Sequence, residues 1–383
     1  MIYNEYEVLR RQMPIGEQEL FDYVIPALLF LFAGVFIFNR DIPILECLKR
    51  IDRKDAANLG HLLVSVSLIF DGLDFLNIPG VHSIHSFTYY LKFSGAMCYF
   101  FAPSTPNYAV LFFVFLSLVQ HALYGGVFID FFMWSTYLFI IVSLRYELSF
   151  KIRLSFILLA APVLIIVQSV KSEYREATWN GKRETGIGLV KDLAQKKQEK
   201  ENDPFERSDG VVRTVGRLNQ GWHLGKVLRW VPKHEPFSGG DDILGDIEGT
   251  VLPRIFFPDK KIIGSQEKFY RYTGHKLTLG TSMTIGVLGD FYVNFGRWGS
   301  FFMLFVFGAF AARALHFFVR KYVLTDPINV IWIPYLFSYL VRANNDFYIV
   351  FNNLVKGFLI FLFINYVRRQ IWPSKVPVNR LLK

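Results

Sequence analysis

Long apolar runs, repeated along the chain, constrain this sequence more than any motif in it. A helix needs about 20 mostly apolar residues to cross hydrocarbon, and it satisfies its own backbone hydrogen bonds while doing so. The strongest runs are 107–124, 127–144, 153–170, 298–319 and 347–367, followed by the shorter 23–38 and 326–341. Two weaker segments complete the set: 59–77, interrupted by Asp71 and Asp74, and 85–101, which carries Lys92. The expectation is an all-α, polytopic membrane protein with about nine transmembrane helices. A large extracytoplasmic loop is expected between the sixth and seventh.

Composition agrees. Hydrophobic residues make up 52% of the chain and charged residues 19%, against about 25% charged in a soluble protein, so a water-surrounded enzyme is excluded. Two cysteines, Cys47 and Cys98, cannot build a disulfide scaffold or a cysteine zinc site. The formal charge of +10 fits cationic flanks beside anionic lipid better than nucleic-acid binding. No cleavable signal peptide is apparent; the first span is expected to act as its own insertion signal.

Lys and Arg in the short connections set the orientation. They crowd into 39–58, 145–153, 320–325 and the tail after 367, whereas 78–84, 125–126 and 342–346 together contribute only Arg342. The N-terminus is then outside, the C-terminus cytoplasmic, and the long segment extracytoplasmic. Three regions follow: an N-terminal bundle of about six spans (1–170), the outer loop (171–297), and a C-terminal bundle of about three spans with its tail (298–383).

Within the loop, 171–209 is Lys/Glu-rich and reads as a solvated arm. Residues 211–231 place Val212, Val215, Leu218, Trp222, Leu224 and Leu228 at helical spacing with arginines between them, a pattern that suits the bilayer interface; Gly221 divides it into two short helices. A Gly/Asp-rich loop occupies 234–253. The run 281–296 reads as a short or re-entrant helix leading into the next span.

Arg213, Arg217, Arg254 and Arg342 all fall at or just outside the outer boundary in this topology. The planar guanidinium fork makes two charge-assisted bonds to a diphosphate and stays protonated, so the four suit the phosphates of a polyprenyl-diphosphate sugar donor. Headgroup anchoring or pairing with an Asp explains any one of them equally well. Arg342 sits in the tight turn RANND (342–346), where Asn344, Asn345 and Asp346 offer hydrogen bonds for sugar hydroxyls; turn chemistry alone also accounts for these three. Candidate bases are His223, His234, His275, Glu235, Asp241, Asp242 and Asp290. Asp290 lies in an apolar run, and a buried Asp–Arg pair that only fixes the fold is the competing reading. His82 and His85 are an i, i+3 pair without a third ligand, so no metal site is expected. The chain carries no GxSxG elbow, P-loop, HExxH or Gly-rich dinucleotide pattern, and no visible internal repeat.

The succession LPR (252–254), FPDKK (257–261), TSMTIGVLGDFYVNFGRWG (281–299) and then a span, with RANND before the last span, resembles the bacterial O-antigen polymerases, the oligosaccharide-repeat-unit polymerases of the Wzy type. The resemblance covers roughly 210–350. It implies a GT-C-type glycosyltransferase of the bacterial inner membrane with a periplasmic active site. Such an enzyme moves a glycan from undecaprenyl diphosphate onto the next lipid-linked repeat unit. Arg254, Asp290 and Arg342 match the motif positions; Arg213 and Arg217 match as arginines early in the outer loop. Asp290 and His223 are the leading candidates for the base. No cofactor is implied. Membrane lipids and the lipid-linked oligosaccharide are the partners, with a flippase and a chain-length regulator as protein companions and no nucleic acid. A lipid-linked glycan ligase or other membrane transferase shares the same architecture, and a transporter is the alternative from a different class.

Overall fold

The computed structural model describes residues 13–76, 78, 81–101, 108–125, 128–160, 162, 174, 188, 191–192, 221–252, 265–277 and 283–372. Among them all regular structure is helical. Among the described residues five helices are long and apolar enough to cross a membrane: α1 (Glu17–Phe38), α3 (Arg53–Phe75), α7 (Phe128–Arg145), the run Gly286–Val323, and α13 (Phe347–Ile371). Two shorter apolar helices, Tyr108–Tyr124 and Pro327–Val341, accompany them. The chain is thus an all-helical protein with the composition of a multi-pass membrane protein.

Two of the nine expected spans are not accounted for by these seven. Residues 153–170 are helical as far as 160, and most of the remainder lies outside the described residues. Residues 85–101 form no continuous helix. They are shared between α4 (Val81–Thr88) and α5 (Leu91–Tyr99), each too short to span hydrocarbon.

The residues cluster into two compact units, 1–43 with 219–367 and 44–218 with 368–376, the remaining tail going with the first. In the second unit α5 is buried along its whole length and packs on α3, where Gly60 and Gly95 let the backbones meet. A Cβ on Gly95 would sit 3.0 Å from the Gly60 carbonyl oxygen. The charges that weaken these segments in the sequence neutralise each other: Lys92 Nζ donates to Asp71 Oδ2 at 2.7 Å and lies 3.8 Å from the Tyr89 ring centroid. Tyr90 reaches across to α7, donating to Asp130 Oδ2 at 2.8 Å and stacking on Trp134.

In the first unit α1 packs along α11 (Gly286–Phe318). Gly34 and Gly308 face the opposite backbone so closely that a Cβ on either would run into a main-chain carbonyl, that of Phe305 or Leu31. Small residues at such crossings replace the hydrophobic drive that lipid removes. Above that contact Tyr23 donates to the Leu288 carbonyl at 2.8 Å and Arg297 to the Asp22 carbonyl at 2.6 Å. At about 1.5 Å per residue, the 33 residues of α11 run about 50 Å, well beyond the ~30 Å hydrocarbon core. Its first three turns are set off by a break at Gly296 (φ 67°). The run 281–296, read from sequence as a short or re-entrant helix, is from Gly286 onward this leading arm of α11.

Candidate functional site

The leading arm of α11 collects the short helices α8 (Gly221–Trp230), α9 (Asp241–Val251) and α10 (Ser265–Thr273). Its break at Gly296 frees carbonyls of the preceding turn, which need donors. Those of Val293 and Asn294 accept from the backbone N–H groups of Ser238 (3.0 Å) and Gly239 (2.9 Å), and Ser238 Oγ donates to Asn294 Oδ1 at 2.7 Å. The turn that supplies these donors needs two consecutive left-handed residues, which Gly239 (φ 66°) and Gly240 (φ 106°) provide. Thus the SGGDD and GDFYVNFG stretches interlock, and α9 starts where it must to face α11.

Four ionisable side chains from four segments meet beside this joint. Lys268 Nζ of α10 lies 2.6 Å from Asp290 Oδ1 and 3.3 Å from Asp246 Oδ2 of α9. Asp290 Oδ2 accepts the Phe347 N–H at 2.8 Å, which brings in the RANND turn and its Asp346. Asp246, Asp290 and Asp346 are 1%, 0% and 4% exposed and Lys268 9%, so the cluster is closed to solvent. Burial alone would depress the Lys268 ammonium, but Asp290, Asp246 and Asp346 outweigh it and hold the amine protonated. Burial pushes the Asp246 carboxyl up to about 7, with Lys268 opposing and Asp290 and Asp346 adding. Asp346 is raised too, by burial first and then by Asp290. Burial and the neighbouring carboxylates thus favour the protonated forms of Asp246 and Asp346.

Two of the motif elements on which the family resemblance rests are joined here. Besides the Asp290 bond, the Thr284 hydroxyl donates to the Asn344 carbonyl. Gly286, at φ 72°, leaves room for the turn, since a Cβ there would lie 3.1 Å from the Ala343 carbonyl oxygen. Within the turn Asn345 donates from Nδ2 to the Tyr339 carbonyl at 2.9 Å, and Asp346 Oδ1 caps α13 by accepting from Ile349 N–H at 3.1 Å. Both side chains are buried and engaged by the segments that flank the turn, whereas Asn344 is exposed. Arg342 is half-buried with its guanidinium 4.5 Å from the Tyr339 ring centroid.

Asp290 is paired, but with a lysine rather than an arginine, and both its oxygens are taken; this is the geometry of a residue that holds the RANND turn. His223 sits apart from it by role, in an aromatic cluster with Trp222 (5.4 Å) and Phe269 (5.8 Å). Burial lowers its pKa and favours the neutral imidazole. His275 flanks the same two rings, and His234 stacks on Trp230 at 4.1 Å. Glu235 and Asp242 are both engaged by Arg271, at 2.5 and 3.4 Å, and Asp242 also accepts from the Tyr272 hydroxyl. Arg213, Arg217 and Arg254 lie outside the described residues.

Sequence reasoning missed Asp246 and Lys268. Asp246 had a signal: in α9 the buried positions are Ile243, Asp246, Gly249 and Thr250, so an acid stands on the apolar stripe. Lys268, in a polar nine-residue helix, had none.

Compared with known proteins, residues 29–372 match a family described as a domain of unknown function (DUF8712). No curated protein and no solved structure matches the chain.

Proposed function

The chain belongs to the DUF8712 family, a domain of unknown function, and we propose that it is a membrane transferase acting on a lipid-linked glycan donor, joining repeat units carried on undecaprenyl diphosphate into a surface polysaccharide. In this reading the excess of Lys and Arg in the connections 39–58, 145–153 and 320–325 puts 171–297 outside a bacterial inner membrane, with the RANND turn at that face. Arg342, with Arg213, Arg217 and Arg254, neutralises the departing diphosphate. Asn344 meets sugar hydroxyls, and His223, kept neutral by burial, is the base that takes the acceptor proton. Asp290 and Asp346 act by position. A flippase and a chain-length regulator are the natural companions, and no metal is required where several guanidinium groups serve.

The observation that carries the reading is the joint itself. The GD-x-Y-x-NFG-x-x-G arm and the arginine-bearing turn are far apart in the chain, yet Asp290 binds the first residue after the turn at 2.8 Å. Deleting the gene and resolving surface glycan on a gel tests it. The expected result is collapse of a long-chain ladder to single repeats, restored by the wild-type gene and not by Arg342→Lys. An unchanged ladder removes the reading.

A second reading, a proton-coupled transporter, draws on the raised carboxyls of Asp246 and Asp346 beside Lys268 and on the irregular segments Pro327–Ile331 and Ser338–Val341 that interrupt the chain before α13. Substrate-dependent proton uptake by proteoliposomes, with no glycan product, would favour it.

A further inference from the structure

At the end of α3 two carboxylates and two imidazoles converge. Asp74 presents one oxygen to each histidine of α4: Oδ1 lies 3.1 Å from His82 Nδ1 and Oδ2 3.2 Å from His85 Nδ1. The other ring nitrogen of His85, Nε2, is 2.8 Å from Asp71 Oδ1, and Asp71 Oδ2 is taken by Lys92 at 2.7 Å. The sequence shows the histidines as a pair without a third ligand; the fold supplies it by turning α4 back onto α3.

We propose that His82, His85 and Asp74 form a binding site for a divalent transition metal of the zinc class. A carboxylate only accepts, so the bond to Asp71 puts the His85 proton on Nε2 and leaves a lone pair on Nδ1. That lone pair faces an Asp74 oxygen at 3.2 Å, a repulsive arrangement unless a cation lies between them. A carboxylate that orients a ligating imidazole through its far nitrogen is the usual outer partner of a metal-bound histidine, and Asp71 is placed to be that partner, itself fixed by Lys92. The spacing suits the ion: bonds of about 2.0 Å in a tetrahedral site put ligand atoms about 3.3 Å apart, and the three candidate atoms lie within 4.8 Å of one another. Two imidazole nitrogens and one carboxylate select zinc-like ions over magnesium or calcium. His82 is 88% exposed on its side chain, so the fourth position opens to water or to a ligand oxygen.

The competing explanation is an added proton, with His85 as an imidazolium between Asp71 and Asp74, and metal uptake separates the two. Full-length protein without a polyhistidine tag, purified in detergent and stripped with chelator, is titrated with Zn2+ against a chromophoric competitor, then with Co2+ to read the ligand-field bands. The expected result is one ion per chain with four-coordinate Co2+ bands. Asp74→Asn and His82→Ala should each lose the tight site, and Asp71→Asn should keep the stoichiometry but bind about 10–100-fold more weakly. Uptake no greater than that of a His82→Ala/His85→Ala variant, with wild-type melting behaviour, overturns the proposal; so does wild-type affinity in His82→Ala.

Discussion

Lys268 Nζ sits 2.6 Å from Asp290 Oδ1, and this bond ties a polar nine-residue helix to the leading arm of α11, the longest helix among the described residues. Asp290 passes the constraint on through its other oxygen to the N–H of Phe347. Three segments separated in sequence are thereby held at one point, with almost no water to share the charge.

Removing the ammonium leaves buried carboxylates uncompensated. Lys268→Met should destabilise the protein by about 3–5 kcal/mol, read as a large drop in detergent melting temperature. Lys268→Met combined with Asp290→Asn should recover part of that loss, because the double variant has no stranded charge on α11. Equal loss in single and double variants would show that the pair carries little energy.

Asp246 gives the protein a pH dependence with a definite sign. Its folded carboxyl stands at about 7 against 3.8 for the free group, so the folded state holds the proton more tightly than the unfolded one. Its contribution is most favourable below about pH 4 and is lost as pH rises through about 7, by at most about 4 kcal/mol. Comparing melting at about pH 5 and about pH 8, Asp246→Asn should lose less stability across that interval than wild type. An unchanged slope would assign the dependence to other groups.

The α1–α11 crossing should not tolerate side chains. Gly34→Leu or Gly308→Leu forces the backbones of Leu31 and Phe305 apart, and overpacking of this kind costs about 1–3 kcal/mol. Lower yield of folded protein and a lower melting temperature are expected for each. Both at wild-type values would mean that the helices do not meet there.

Arg342→Lys keeps the charge and loses the planar fork. In the transferase reading polymer formation falls about a hundredfold with membrane abundance unchanged. A full glycan ladder in the variant would remove Arg342 from the site.

Hydropathy made the long helices legible because a span must be apolar along most of its length, and α1, α7, α11 and α13 stand where the runs are. It was ambiguous at 59–77 and 85–101, since pairing cannot be seen in a window: Asp71 and Lys92 look like interruptions until the fold sets them 2.7 Å apart. The same blindness hid Lys268 as the partner of Asp290. Asp74 was visible, but its place beside His82 and His85 depends on the reversal between α3 and α4. The RANND turn illustrates the opposite limit. Its Asn and Asp invited a ligand reading, and the structure shows Asn345 bonded to Tyr339 before the turn and Asp346 to Ile349 after it.

The central claim is that this chain extends a glycan on a lipid diphosphate. Purified protein in lipid bicelles, given an undecaprenyl-diphosphate-linked oligosaccharide as sole substrate, tests it most directly by mass spectrometry of the products. The account predicts lipid-linked glycans of two and more repeat units together with free undecaprenyl diphosphate, and neither with Arg342→Lys. Unaltered substrate in the presence of folded wild-type protein would contradict it.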